Sequence, residues 1–121
     1  MYNADYYKAI AADVAKVIRL IYKPENWAQG SMAKSSDGEC LYDPFSPNAV
    51  RFCVVGAAYK TNCADKTIAW LETESIKCGY FDTTKLNDQN DHATVIKELL
   101  MFLRKLDRKT FNELKKELNI K

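Results

Sequence analysis

Near the start of this chain Tyr7, Ile10, Ala11, Val14, Val17, Ile18, Ile21 and Tyr22 recur at three- and four-residue spacing. Lys8, Asp13, Lys16 and Arg19 fall between them, so the segment reads as a helix with one wide apolar face. Asn3 can cap its first amides and Pro24 lacks the donor needed to extend it, which sets the expected span at Asn3 or Ala4 to Tyr22. A face that wide must be buried by the rest of the chain. With 121 residues, 47% of them hydrophobic, there is enough to build one domain over 1–121 with a modest core, and no room for a second.

The middle of the chain breaks the helical period. Gly30, Ser35-Ser36-Asp37-Gly38, Asp43-Pro44 and Ser46-Pro47 punctuate residues 25–46. Trp27 to Ala33 and Glu39 to Tyr42 flank Asp37-Gly38, a pair suited to a tight turn because glycine tolerates a positive backbone angle, and this predicts a short β-hairpin. Ser46 and Pro47 then read as the cap and first residue of a helix from Pro47 to about Lys60, burying Val50, Cys53, Val54, Ala57 and Ala58. A further helix is expected from Asp65, with Ile68, Leu71 and Ile76 inward and Gly79 just past its end. Tyr80 to Leu86 reads as extended. Asn90 or Asp91 should cap a strong helix carrying Ile96, Leu99, Leu100, Leu103 and Leu106, and Asp107 should start a last one docking through Phe111, Leu114 and Leu118. The expected class is α-rich α+β, with four to five helices and one small β-hairpin.

Charge and cysteine usage narrow the function. The net charge of +2 with 28% charged residues fits neither a disordered chain nor a general polyanion binder. From Arg104 to Lys121 seven Lys/Arg face three Asp/Glu, which reads as a solvated basic helix over 104–121 in preference to a nucleic-acid footprint. Asp5, Lys8 and Asp13 interrupt any leader-like run, so a cytoplasmic protein is expected. The longest apolar run, Phe52 to Tyr59, has eight residues against the roughly 18 to 20 that cross a bilayer, so no membrane role is expected. Cys40, Cys53, Cys63 and Cys78 lack zinc-ligand spacing and His92 is the one histidine, so reduced thiols, no metal and no cofactor are expected. Nothing in the chain specifies an oligomeric state.

Three islands stand out: Trp27-Ala28-Gln29-Gly30, Cys53-Val54-Val55-Gly56-Ala57 and Leu86-Asn87-Asp88. Trp27, Gln29 and Gly30 read either as a recognition ledge, an indole face beside a directional amide, or as a plug that seals the hairpin onto the first helix with glycine permitting close backbone approach. Cys53 reads either as a nucleophile served by His92 and oriented by Asp88 or Asp91, or as a small core residue nearly two turns inside the Pro47 helix, where Gly56 and Ala57 let a neighbouring helix come close. Asn87-Asp88 reads as a helix entrance whose side chains cap amides or hold an Asx-turn, while a carboxylate pair from Asp82, Asp88 and Asp91 lacks a sign of burial. The calcium-loop pattern lacks its glycine turn and terminal glutamate.

In this order, with Thr94 and Val95 following in the last strong helix, the islands resemble an uncharacterised family of small bacterial and phage proteins known only as a domain of unknown function. The matching positions are Trp27, Gln29, Gly30, Gly38, Cys53, Gly56, Ala57, Asn87, Asp88, Thr94 and Val95, over about residues 6 to 103. The chain departs from the pattern by a longer insertion, Glu39 to Pro47, and by Leu86 where the family places an aromatic. The resemblance implies no substrate or reaction; the family's occurrence suggests a phage-encoded inhibitor of a host enzyme. Taken with the residues, the expectation is a non-enzymatic binding protein that recognises a small polar ligand or a host protein through Trp27, Gln29, Gly30, Asn87 and Asp88. The alternatives are the inhibitor and a cysteine-dependent hydrolase or transferase using Cys53 and His92.

Overall fold

The computed structural model describes residues 3–121. Helix α1, Ala4–Ile21, forms where the apolar stripe predicts, with the Asn3 side chain accepting from the Tyr6 amide at 3.0 Å. Ile10, Val14, Val17, Ile18 and Ile21 are fully buried on it. After a 3-10 turn at Pro24–Asn26 come three two-residue strands, β1 Ala33–Lys34, β2 Cys40–Leu41 and β3 Arg51–Phe52. Five helices follow: α2 Val54–Lys60, α3 Asp65–Lys77, α4 Thr83–Asp88, α5 His92–Leu106 and α6 Arg108–Glu117. The class is α-rich α+β as expected, with six α-helices in place of four to five among the described residues.

α1 is the axis of the fold, contacting α2, α3, α5 and α6. Its stripe is closed by Val95, Leu99, Phe102 and Leu103 of α5, by Val54, Ala57 and Ala58 of α2, and by Leu114 of α6, all in one cluster. Phe111 and Leu118 pack at the edge of that cluster, and Arg19 reaches Glu117 at 2.7 Å, so the basic last helix is docked along α1 and α5. Polar ties lock the helices further. The cap position of α3 is Ala64, whose side chain cannot cap it, and the Asp13 carboxylate of α1 serves there, accepting from the Ala64 amide at 3.0 Å and the Thr67 hydroxyl at 2.7 Å. Burial pushes the Asp13 pKa up, yet these bonds and Lys16 outweigh it and hold the group below the usual carboxylate range. Glu74, buried on α3, is held low in the same way by Lys105 of α5 and Lys77, against the upward push of burial.

Several expectations need correction. The hairpin is present, with Ala33 opposite Leu41 and Lys34 opposite Cys40, but its other edge carries a third antiparallel strand, giving the order β2-β1-β3. That strand replaces the first half of the expected Pro47 helix. Residues 46–49 form a turn, Ala49 donating to the Ser46 carbonyl at 3.0 Å, after which the Val50 amide joins Lys34 and Arg51-Phe52 pairs with β1. Sheet pairing thus satisfies the backbone that a helix would have used, and Val50, expected inside, is 46% exposed. Tyr80 to Leu86 is not an extended run: α4 starts inside it, capped by Asp82, which accepts from the Lys85 amide at 2.8 Å. On α3 it is Ile76 that faces out, at 55% exposure, because Leu71, Glu74 and Ser75 take the inner face.

Candidate functional site

The first and third islands meet. Asn87, expected at a helix entrance, instead lies in the last turn of α4 and is completely buried. Its carbonyl oxygen accepts from the Trp27 indole at 2.8 Å and the Val54 amide at 3.1 Å. Its amide nitrogen donates to the Ala28 carbonyl at 3.0 Å and to Asp88 Oδ1 at 2.9 Å. Two acceptances and two donations exhaust a carboxamide. Asn87 is therefore a hub that joins the Trp27 segment, the start of α2 and α4.

The neighbours complete the clasp. Gln29 Nε2 donates to the carbonyls of Asp88 at 2.9 Å and Asn90 at 2.8 Å, and so closes the end of α4. Asp88 Oδ1 accepts from the Gly30 amide at 2.9 Å, where a backbone φ of +86° explains why glycine suits the position. Asn90 in turn donates to the Tyr80 hydroxyl and to the Leu86 carbonyl. The helix at Asn90–Asp91 is capped by Asp91, which accepts from the Thr94 amide at 2.8 Å. Neither Asn87 nor Asp88 performs that role.

Cys53 is also relocated. It lies at the cap of α2, with Sγ accepting from the Gly56 amide at 3.2 Å, not two turns inside a helix. Burial raises its thiol pKa, and the Asp88 charge adds to the rise, while the bond from Gly56 works the other way. The small residues do permit a close approach, but the partner is backbone, not a helix. The Met32 carbonyl accepts from the Cys53 amide at 3.2 Å and lies where a Cβ on Gly56 would come within 1.9 Å of it.

The structure does not bring Cys53 and His92 into one cavity. His92, the first residue of α5, bonds through Nε2 to the Ile21 carbonyl at 2.7 Å; a carbonyl only accepts, so Nε2 carries the hydrogen and is not free to act as a base. Its ring packs on Trp27 with centroids 5.5 Å apart. Cys53 instead lines a cavity of about 230 Å³ with Gly30, Ser31, Met32, Tyr42, Thr84 and Asp88. Of these, Ser31, Met32, Tyr42 and Thr84 were not singled out from sequence; Tyr42, 92% exposed within the Glu39 to Pro47 insertion, was the visible signal. All four cysteines are free thiols. Among the described residues no group of three His, Cys, Asp or Glu side chains could hold a metal ion, and no helix is long and apolar enough to cross a membrane.

Alkylation should separate the thiols. In the native protein at neutral pH an exposed Cys40 is expected to react first and Cys53 last, at the rate of local opening. Cys53→Ser puts a hydroxyl acceptor where Sγ caps α2 and should be at least as stable as Cys53→Ala, which should lose about 1 kcal/mol. Rapid labelling of Cys53 in intact protein, read by mass spectrometry, would contradict the burial.

Comparison with protein-family models, curated proteins and solved structures finds no match to this chain.

Proposed function

We propose that this chain is a non-enzymatic binding protein that takes a small polar ligand in the cavity between the Gly30–Met32 segment and α4. One observation carries the reading: Asp88 lines that cavity with a carboxylate that, among the described residues, pairs with no cation. Oδ1 is held in place by Gly30 and Asn87, so the negative charge is fixed at the wall. Thr84, Ser31 and Tyr42 line the same cavity, the Ser31 hydroxyl donating to the Ala33 carbonyl at 2.8 Å. A ligand suited to this lining offers N–H donors or a positive charge to Asp88 and hydrogen-bonding groups to the hydroxyls. Trp27, Gln29 and Asn87 belong to the site as its frame, since their polar groups bond to the protein itself. A host protein remains the other kind of partner, and an inhibitor would use Tyr42, which stands at the same cavity and is almost fully exposed.

The cysteine-hydrolase reading has in its favour that Cys53 caps a helix and shares the cavity with Asp88. Against it stand a thiol pKa raised by burial and a histidine committed to the Ile21 carbonyl.

Amide chemical shifts test the proposal. Acetamidine and propylammonium, titrated to millimolar concentration, should give saturable shifts at Gly30, Ser31, Met32 and Thr84. Asp88→Asn retains an acceptor for the Gly30 amide but removes the charge, and should abolish those shifts while the protein stays folded. Absence of saturable shifts in the parent protein, or shifts that survive in Asp88→Asn, would refute the site.

A further inference from the structure

A second apolar surface lies along α5. The face running from His92 and Ala93 through Ile96 and Leu100 to Arg104 floors two adjoining cavities of about 320 and 400 Å³, which share Tyr22, Ala93 and Ile96. At 1.5 Å per residue that face is about 18 Å long. Met101 is 52% exposed on it, and Phe111 of α6 forms part of the facing wall. The rim is cationic. Lys97, Arg104, Lys115 and Lys121 line the first cavity and Lys23 the second, and no Asp or Glu lines either.

These charges are not spent within the protein. Among the described residues the ion pairs use Lys16, Arg19, Lys77 and Lys105, none of which is on this rim. Lys115 lies over the Phe111 ring at 5.3 Å, which keeps its ammonium at the wall of the groove.

We propose that this groove docks an acidic amphipathic helix of a partner protein. The length of the floor matches about three turns of helix, and an open apolar trough lined by one helix face is the receptor half of helix-in-groove recognition. The spread of charge selects the occupant. Lys97 and Arg104 stand two turns apart, about 10 Å, on one side, with Lys115 and Lys121 contributed by the C-terminal segment. An anionic amphiphile with a single head group would meet one of these cations. A helix with an apolar seam flanked by carboxylates meets all of them, and its like-charged counterpart is repelled. The groove is separate from the Asp88 cavity, so the two readings stand or fall independently.

The probe is a fluorescein-labelled, N-acetylated peptide of about 14 residues with leucines at helical spacing and glutamates on both flanks. A twin peptide carries lysine at every glutamate position. Fluorescence anisotropy should show saturable binding of the glutamate peptide alone, weakening as salt rises. Lys97→Glu with Arg104→Glu, both at exposed positions, should lower that affinity at least about tenfold and should recruit the lysine peptide. Met101→Asp should weaken binding with an unchanged melting temperature. No binding of the glutamate peptide, or equal binding of both peptides, overturns the proposal. So does saturable binding of dodecanoate without peptide binding, which would assign the groove to an amphiphile, or self-association abolished by Met101→Asp, which would assign it to a second copy.

Discussion

Asn87→Ala is expected to cost about 4 kcal/mol of folding stability, a large share of the 5–15 kcal/mol typical of a small domain. The substitution removes little volume. It leaves the Val54 amide, the Trp27 indole and the Ala28 carbonyl without their partner, and each buried orphan costs roughly 1–3 kcal/mol. The partly buried setting of Trp27 lets water recover part of one bond, which keeps the sum below the simple total. A fall in melting temperature of about 15 °C should follow. Asp88→Ala frees only the exposed Gly30 amide and one Asn87 donor, and should cost about 1 kcal/mol. Calorimetry on both variants orders the two effects. Equal small losses would mean that Asn87 is not the hub of the clasp.

Gly56→Ala should be nearly as damaging, in the direction opposite to helix propensity. Propensity alone would favour alanine in α2 by about 1 kcal/mol. The new methyl would stand 1.9 Å from the Met32 carbonyl oxygen, a backbone atom that also accepts from the Cys53 amide. Neither side can yield by rotating a side chain, so β1 and α2 must separate, at a net cost of about 3 kcal/mol. Urea unfolding should show a lower midpoint with an unchanged slope. A midpoint equal to or above that of the parent protein would show that the close approach of Met32 is absent in solution.

The legible parts of the sequence were those in which periodicity and caps agree. The α1 stripe, its Asn3 cap, the Asp91 and Asp107 caps and the docking of Phe111, Leu114 and Leu118 needed no tertiary information. β3 was hidden because Ser46-Pro47 reads as the cap and first residue of a helix, and the pairing of Arg51-Phe52 with β1 decided against it. α4 was missed because the β-branched Thr83-Thr84 favours an extended reading of Tyr80 to Leu86, and only the Asp82 cap marked a helix start. Trp27, Gln29, Gly30, Asn87 and Asp88 could be singled out as unusual, and they do meet. That they bind one another could not be read, because two hydrogen-bonding side chains far apart in sequence look the same whether they face a ligand or each other. The same holds for the groove on α5: Arg104, Lys115 and Lys121 read as a solvated tail, and only the fold sets them with Lys97 around Ile96 and Leu100, beside Tyr22 and Phe111.

The reach of the Asn87 hub along the chain bears on the order of events in folding. Its bonds span 60 residues to Trp27, 59 to Ala28 and 33 to Val54. During synthesis the segment from Trp27 to Gly56 therefore emerges well before the side chain that completes its hydrogen bonding, and loop closure over that distance is entropically slow. Until residue 87 arrives, the Trp27 indole and the first amide of α2 have only water as partner. The Trp27 segment and the entry of α2 therefore settle only after α4 has been made, just as the α1 stripe waits for α5 and α6 to close over it.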